Sequence, residues 1–214
     1  MLKRPTATAV LAVIALLGAA VASAETTTWK FDPPHSEALF SIRHIFTKVQ
    51  GRFNDMEGTI QLDDKDLSKS SVDVTIKTAS IFTNNEKRDN HLRSGDFFDA
   101  EKNPTITFKS TKVIPGEDKK FKVEGDLTMR GVSKPVTLDV EYLGGGAWGM
   151  GGQVFGTKAG WVATTKVNRQ DWGISWNKTL DQGGTLLGDD VDLTLNVEAD
   201  KQAPAATQPA ATKK

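Results

Sequence analysis

The sequence contains no cysteine among its 214 residues. Disulfide bonds and thiol chemistry are therefore excluded, and the folded protein must be held together by its core and its hydrogen bonds. The chain also lacks an excess of charge of either sign, since 27 Lys and Arg residues balance 27 Asp and Glu residues. Such a balance creates no overall field that would attract nucleic acid or an anionic membrane surface. We therefore expect no nucleic-acid partner.

Sequence motifs of catalysis and metal binding are also scarce. The chain has no Gly-x-Ser-x-Gly segment, which would hold a serine nucleophile on a sharp turn. Residues 151–158 echo a phosphate-binding loop, but Thr157 precedes Lys158 and no helical pattern follows. The three histidines, His35, His44 and His91, have none of the spacings typical of a metal site. We expect neither a catalytic nor a metal site.

A long apolar run is found at the N-terminus. Lys3 and Arg4 precede the apolar residues 9–21, and the small residues Ala22-Ser23-Ala24 follow. This is the layout of a cleaved secretory signal peptide, and its apolar part is too short for a typical transmembrane span. We predict a signal peptide over residues 1–24 and no stable membrane span after cleavage. An uncleaved anchor is the alternative.

The remainder of the chain predicts one domain and a short tail. Without Lys3 and Arg4, 25 basic residues face 27 acidic ones, a net charge of about −2. About 190 residues suffice for one well-buried domain and are short for two. Residues 200–214 consist largely of Ala, Pro, Thr, Gln and Lys without apolar periodicity. We predict a domain over residues 25–199 and a disordered tail over residues 200–214.

Within this domain the apolar residues alternate with polar ones. In "FKVEGDLTMR", Phe121, Val123, Leu127 and Met129 fall on one face of an extended chain. The same alternation recurs in several other segments, and turn residues separate them, so we count about eight to ten strands. The pattern indicates an all-β fold, and favours an antiparallel sheet closed into a barrel because closure removes exposed edges. A two-sheet sandwich is the competing architecture.

One segment, "TNNEKRDNHL" from Thr83, departs from the strand pattern. Thr83 followed three residues later by Glu86 is the signature of a capping box at a helix start. Asn103 precedes a proline and is therefore biased toward extended backbone, which closes the region. The sequence predicts one short helix between two strands.

Six segments stand in a recognisable order and spacing: "FDPPHSEALFSIRH", "VQGRFNDMEGTI", "HLRSGDFFDAEKNPTITFKST", "GDLTMRGVSKPVTLDVEY", "NRQDWGISWN" and "GDDVDLTLNVEA". In this arrangement the chain resembles the YceI-like family, the polyisoprenoid-binding proteins of the bacterial periplasm. The resemblance extends from Trp29 to Ala199. The segment "LGGGAWGMGGQVFG" departs from the family pattern, because it is unusually rich in glycine for a segment that connects strands.

The resemblance implies an extended antiparallel lipocalin-like β-barrel with one short capping helix. It implies a non-enzymatic periplasmic carrier that holds a long-chain isoprenoid, either a polyprenyl lipid or an isoprenoid quinone, or a similar amphiphile, in an internal channel. Members of such a family often pair as homodimers, and no cofactor is expected beyond the bound lipid. A link to envelope stress is a further expectation.

Candidate ligand-binding residues follow from this resemblance and from the strand faces. On "EALFSIRH" the face of Phe40 and Ile42 also carries His44, which would make His44 a polar group at the mouth of an apolar cavity. We predict that Phe97 and Phe98 attach the helix to the barrel, with Phe97 in contact with ligand. The predicted channel wall comprises Phe40, Ile42, Phe108, Leu138, Trp161 and Trp172, and the predicted polar rim comprises His44, Asn84, His91 and Arg93.

Two other classes of function remain open on the sequence. An enzyme could act on a lipid held in the same cavity, with His44 or His91 as its acid–base group. A structural envelope protein would carry no lipid. Extraction of the purified protein with organic solvent separates the three readings, because they differ in whether a molecule is bound and whether it is converted.

Overall fold

The computed structural model describes residues 26–204. The predicted signal peptide and residues 205–214 of the predicted tail lie outside the described residues. Within residues 26–204 no helix is both long and apolar enough to span a lipid bilayer. The elements are β1 (Thr27–Phe31), β2 (Glu37–His44), β3 (Thr47–Phe53), β4 (Met56–Leu62), β5 (Ser71–Lys77), β6 (Ile81–Phe82), α1 (Glu86–Arg93), β7 (Thr105–Pro115), β8 (Lys120–Met129), β9 (Val132–Met150), β10 (Gln153–Asn168) and β11 (Leu187–Lys201).

Eight of these strands form a closed ring. Their order is β1-β4-β5-β7-β8-β9-β10-β11, and the pairing of β1 with β11 closes the circle. Every pairing in this ring is antiparallel, and Phe31 of β1 lies opposite Ala199 of β11. The predicted all-β barrel with one short helix is therefore confirmed, and the two-sheet sandwich is wrong. A sandwich would leave strand edges open where this sheet closes on itself.

One edge of β11 is shared between two neighbours. Residues 199–201 pair with β1, whereas residues 187–196 pair with β2. The β2–β3 hairpin continues this side of the sheet to the short strand β6, which precedes α1. The barrel therefore has two unlike ends. The end near β1 is a plain ring, and the end near α1 is widened by the additional strands and the helix.

The predicted alternation is confirmed in the strands of the ring. In β8, Val123, Leu127 and Met129 are buried, while Lys122 and Asp126, on the opposite face of the strand, are exposed. Strand β11 extends through Lys201, two residues beyond the predicted domain boundary at residue 199. The tail prediction is therefore wrong for residues 200 and 201, because pairing with β1 continues the ladder to the end of β11.

The end of the barrel near β1 is filled with aromatic side chains. The rings of Trp29 and Trp161 pack edge to face with centroids 6.0 Å apart, and the Tyr142 ring lies 5.6 Å from Trp161. Above them Lys158 bridges β10 to its neighbours, with Nζ 2.5 Å from Asp32 and 2.9 Å from Glu198. We call this the closed end, because these aromatic rings pack against one another in its interior.

The helix α1 forms where the sequence predicts it, but a different residue caps it. The side chain of Asn85, rather than Thr83, accepts a hydrogen bond from the backbone N–H of Arg88 at 3.0 Å. Thr83 instead donates its hydroxyl and its backbone N–H to the buried carboxylate of Asp89, at 2.5 and 2.9 Å. The predicted capping box is therefore wrong, because Thr83 is occupied by a carboxylate in the next turn.

The Gly-rich segment forms the outer part of the β9–β10 hairpin. Pairing of β9 with β8 ends at Glu141, and pairing of β10 with β11 ends at Lys158. Residues 143–157 therefore form a two-stranded ribbon at the closed end, in which residues 147–157 pair only with one another and residues 144–146 pair with residues 158–160 of β10. This ribbon contains no Lys, Arg, Asp or Glu. Its exposed apolar side chains are Leu143, Trp148, Met150, Val154 and Phe155.

Candidate ligand-binding site

The widened end of the barrel contains a cavity of about 540 Å³. Its wall is formed by eight strands, by α1 and by the segment between β10 and β11. A volume of this size falls within the range of about 300–1,000 Å³ typical of small-molecule sites. The barrel is therefore hollow at this end and packed at the other.

Most of the cavity wall is apolar. The inward alternation of β11 brings Val191, Leu193 and Leu195 to the wall, yet these side chains are only half buried because they face open space rather than packed atoms. The apolar wall residues are Ala38, Leu39, Phe40, Ile42, Val49, Phe53, Val74, Ile76, Leu92, Phe97, Phe98, Ile106, Phe108, Leu127, Met129, Val136, Leu138, Val167, Ile174, Trp176, Leu186, Leu187, Val191, Leu193 and Leu195.

Two glycines make room for two of the aromatic rings in this wall. A Cβ at Gly51 would lie 2.4 Å from Cζ of Phe40, which is directly opposite on β2. A Cβ at Gly125 would lie 2.5 Å from Cζ of Phe108 on β7. Each ring therefore lies over a bare stretch of backbone, against the barrel wall. The two glycines help to keep the interior open.

The polar groups of the wall include no carboxylate among the described residues. They come mainly from α1, the residues just before it and the end of β2, and they are His44, Thr83, Asn85, Lys87, Arg88, His91, Thr107, Thr165 and Arg169. Exposed Lys87 and half-buried His44 form no ion pair or side-chain hydrogen bond within residues 26–204. These two side chains can therefore donate a hydrogen bond to a ligand without breaking an existing contact.

Two arginines fix the helix to residues 79–83, which precede it. Arg88 donates from Nε to the hydroxyl of Thr83 at 2.7 Å and from Nη2 to its carbonyl at 2.8 Å. Arg93 donates to the carbonyls of Ala79 and Ile81 at 2.8 and 2.9 Å. Charge-assisted hydrogen bonds to main-chain carbonyls are stronger than neutral ones. The helix therefore forms a firm side of the cavity.

His91 lies at the end of α1 within an aromatic cluster. Its Nε2 is 2.8 Å from Oδ2 of Asp96, and its ring meets Phe97 and Trp176 edge to face with centroids 5.0 and 4.9 Å away. Arg130 holds this loop by donating to the carbonyl of Phe97 at 3.0 Å. The cluster therefore presents both a polar edge and an apolar surface to the cavity.

Arg169 fixes the segment that closes the wall between β10 and β11. It is 4% exposed, and its guanidinium donates to the carbonyls of Ile174 and Trp176 at 2.6 and 2.9 Å. It also reaches the carboxylate of Asp189 at 3.1 Å. Burial lowers the pKa of Arg169 and the Asp189 charge opposes that effect, but an arginine remains protonated in either case. This side chain therefore supports the wall and has few donors left for a ligand.

The closed end holds a group of side chains with the composition of a metal site. Ligand atoms of Asp32, His35 and Glu198 all lie within 4.8 Å of one another. The ammonium group of Lys158 already contacts both carboxylates and also lies 3.1 Å from Asp200. A metal ion would have to compete with this fixed charge, so the group is better described as an ion-pair network.

Seven of the predicted site residues lie together on the cavity wall. They are Phe40, Ile42, His44, His91, Phe97, Phe108 and Leu138. Phe98, predicted to attach the helix, packs edge to face on Phe53 with centroids 5.7 Å apart and also lines the wall. Contact of these residues with a ligand stays a prediction.

Two tryptophans predicted to line the channel lie elsewhere. Trp161 points inward but belongs to the packed closed end, where it contacts Trp29. Trp172 is 2% exposed, and its indole N–H donates to the carbonyl of Leu127 at 3.0 Å. The predicted lining role is therefore wrong for both, because one lies too deep along the barrel axis and the other is buried in the wall.

Two residues predicted at the polar rim also lie outside the cavity wall. Asn84 occupies the left-handed backbone region with φ 59°, and it serves the turn that leads into α1. The guanidinium of Arg93 is directed to main-chain carbonyls, as described above. Each of these residues shapes the backbone, and contact of either one with a ligand at the rim stays a prediction.

Several wall residues were not identified from the sequence. Arg169, Ile174 and Trp176 belong to an irregular segment without periodicity, and Lys87 lies on a helix that is polar on most of its surface. The segment "NRQDWGISWN" contributed to the family resemblance. This segment therefore indicated that the region belongs to the family fold, although it did not reveal which side chains face the cavity.

The geometry defines a closed antiparallel β-barrel with an apolar internal cavity and a polar rim. A profile of the YceI-like domain matches residues 29–199. The chain belongs to the YceI-like family. An UPF0312 protein of Vibrio parahaemolyticus is 37% identical over 173 residues, covering 78% of this chain and 83% of that protein. An UPF0312 protein of Staphylococcus aureus is 38% identical over 174 residues, covering 80% of this chain and 96% of that one.

Solved structures show the same fold. The YCEI protein of Campylobacter jejuni is 36% identical, covers 76% of this chain and 91% of its own, and superposes with a TM-score of 0.62. BcnA of Burkholderia cenocepacia superposes with a TM-score of 0.68 at 20% identity, covering 78% of this chain and 98% of its own. A polyisoprenoid binding domain from Saccharophagus degradans has a TM-score of 0.58 at 13% identity, covering 81% and 98%.

Proposed function

We propose that this protein is a non-enzymatic carrier that holds a long-chain isoprenoid, a polyprenyl lipid or an isoprenoid quinone, in its barrel. The observation that carries the proposal is a hollow, apolar cavity with polar groups gathered at one rim. An apolar chain would lie against the aliphatic and aromatic wall, and its head group would meet His44, Lys87 and His91. The polyisoprenoid binding domain with the same fold supports this class of ligand.

The energy of burial is sufficient for such a ligand. Each CH₂ group moved from water to the wall contributes roughly 0.8 kcal/mol, so two isoprene units of about ten carbons contribute about 8 kcal/mol before ordering costs. The apolar chain alone would then hold the ligand. Specificity for the head group would come from hydrogen bonds at the rim, where a poorly matched group leaves donors unpaired.

Native mass spectrometry with organic extraction tests the proposal. The mature protein, purified from a bacterial periplasm, is expected to carry a stoichiometric isoprenoid or to take up added ubiquinone. A protein that is empty on isolation and binds neither quinones nor polyprenyl lipids would contradict it. The same measurement gives the oligomeric mass, and so tests the predicted homodimer.

An enzymatic role on the same lipid has one observation in its favour. His91 lies in the cavity wall 2.8 Å from the carboxylate of Asp96, which is the pairing that orients a general base. Within residues 26–204 no serine or threonine hydroxyl is hydrogen-bonded to the imidazole ring of His91, and the Ser94 hydroxyl donates to the His91 backbone carbonyl instead, so no activated nucleophile accompanies the ring. The extracted lipid distinguishes the roles, since a carrier returns it unchanged after prolonged incubation and an enzyme does not.

Export to the periplasm is part of the proposal. It is supported by the predicted signal peptide, and the absence of cysteine is compatible with either a reducing or an oxidising compartment. Sequencing of the N-terminus after expression in a bacterium is expected to begin at Glu25. An intact Met1 on protein from the periplasm would contradict cleavage.

A further inference from the structure

The turn between β2 and β3 is made of two apolar residues, Ile45 and Phe46. His44 and Thr47 pair across it, so the connection is a two-residue hairpin loop. Such loops favour Asn-Gly or Asp-Gly, because they need residues that tolerate positive φ. Ile45 nevertheless has φ 50°, which is unfavourable for a β-branched side chain. The side chain of Phe46 is 100% exposed.

Both features are unfavourable for an isolated folded protein. Backbone strain of this kind persists where the surrounding structure imposes it, and it is concentrated at functional sites. Here the backbone N–H of Ile45 donates to the carbonyl of Leu186 at 2.9 Å, which fixes the turn. The fixed turn therefore exposes the ring of Phe46 to solvent at a defined position.

The turn stands at the rim of the cavity. His44 immediately before it lines the wall, and so do Leu186 and Leu187 on the neighbouring segment, where Leu187 pairs with His44. Arg43 ties the two segments together by donating to the carbonyls of Ile45 and Thr185 at 3.1 and 3.3 Å. Phe46 is thus attached to the same hairpin that forms the polar side of the mouth.

Charges around this rim are of mixed sign. Exposed Lys48 is paired with Asp192 at 2.7 Å, while Asp190 is exposed nearby on β11 and Lys87 is unpaired on α1. A strong attraction to anionic surfaces is therefore not expected. Any contact made by Phe46 depends on burial of its ring.

We propose that the Ile45-Phe46 turn docks the mouth of the barrel on a phospholipid bilayer, with Phe46 inserted into the interfacial layer. This rests on the proposed function, because an isoprenoid that enters from a membrane needs the mouth at its surface. A single protruding ring suits a deformable bilayer, which closes around it. A stable protein interface instead needs about 800 Å² of matched surface on each partner.

The uncharged ribbon is the competing membrane contact, and it supplies a matched control. Phe155 on the ribbon is 47% exposed but lies at the closed end, away from the mouth. We compare Phe46→Ser with Phe155→Ser, and add Ile45→Asn/Phe46→Gly, which gives the hairpin its preferred turn residues. This double variant is expected to fold with a raised Tm, so that a loss of docking cannot be ascribed to unfolding.

Sedimentation with vesicles of phosphatidylethanolamine and phosphatidylglycerol measures docking directly. Both Phe46 variants are expected to bind about ten- to a hundredfold more weakly than the unchanged protein, as loss of a buried Phe predicts, while Phe155→Ser binds normally. Equal binding of Phe46→Ser and the unchanged protein would overturn the proposal. A loss confined to Phe155→Ser would also overturn it, in favour of the ribbon.

A transfer assay separates this proposal from the proposed function. Ubiquinone is offered either within the same vesicles or in detergent micelles, and uptake is read by native mass spectrometry. Phe46→Ser is expected to load from micelles at the normal rate and from vesicles more slowly. If no form of the protein takes up ubiquinone, the carrier function fails, and vesicle sedimentation still decides whether Phe46 docks.

Discussion

Replacing Gly51 with alanine would place a methyl group in the space that the Phe40 ring occupies. The new Cβ would lie 2.4 Å from Cζ and 2.8 Å from Cε1 of that ring, and 2.7 Å from Cγ2 of Thr83. Carbon atoms in contact are separated by about 3.5–4.0 Å, so the ring must move by an ångström or more. The barrel wall lies behind the ring, and the cavity is the space into which it can turn.

Two measurable effects follow from this displacement. Overpacking of this kind costs about 1–3 kcal/mol in the free energy of unfolding, or roughly 2–4 °C in Tm for each kcal/mol. The turned ring also occupies volume that a ligand needs. The amount of ubiquinone bound per folded protein molecule should therefore fall. Urea unfolding and native mass spectrometry measure the two effects separately.

Two further variants make the test specific. Gly95→Ala is the matched control, because a Cβ at Gly95 has nothing within 4 Å and should change neither property. Gly51→Ala/Phe40→Leu removes the clashing ring, so its cost should be smaller than the sum of the two single costs. Strict additivity, or a Gly51→Ala protein as stable and as well loaded as the unchanged one, would refute the contact between Gly51 and Phe40 as the reason for the open cavity.

Three other predictions concern the wall and the ion-pair network. Phe108→Trp should lower lipid uptake with circular dichroism unchanged, and full occupancy in the folded variant would count against a lining role. Arg169→Ala leaves buried carbonyls unpaired and should cost about 3–5 kcal/mol in urea unfolding, so an unaltered midpoint would contradict its supporting role. The Lys158 hydrogen bond holds the pKa of Asp32 below its usual value, so this contribution to stability is complete above about pH 4 and is lost as the pH falls through the lowered pKa. In Lys158→Gln the free energy of unfolding should therefore fall less steeply as the pH is lowered below about 4. An unchanged dependence on pH would disprove the stabilising role of the hydrogen bond between Lys158 and Asp32.

The faces of the strands were predictable from the sequence because alternation is a local property. Val123, Leu127 and Met129 could be placed inside from their spacing alone. Depth along the barrel axis is not local. Trp161 has the same inward parity as the cavity residues, and only the register of β10 against β9 and β11 shows that it lies at the closed end. The alternation along each strand therefore identified which residues face the interior of the barrel. It did not show which of them lie in the packed end and which line the cavity.

The support of the cavity was harder to predict for a different reason. Arg169 and Arg93 act by donating to main-chain carbonyls, and every residue type supplies such an acceptor. No pattern of neighbouring residues in the sequence distinguishes these two arginines from arginines that are exposed to solvent. The helix start posed a similar problem, because Thr83 and Asn85 are both good capping residues and the buried carboxylate of Asp89 decides between them.

The position of β11 determines when the cavity can come into existence. This strand closes the ring against β1 and supplies Val191, Leu193 and Leu195 to the wall, yet it is the last strand within residues 26–204. A ribosome must therefore complete two separate sheets, the seven strands β1-β4-β5-β7-β8-β9-β10 and the three strands β2-β3-β6, before β11 can join them and close the ring. Such a chain is prone to aggregation and suited to a chaperone. If the barrel carries the proposed isoprenoid, the ligand must therefore enter after synthesis, when the ring is already closed.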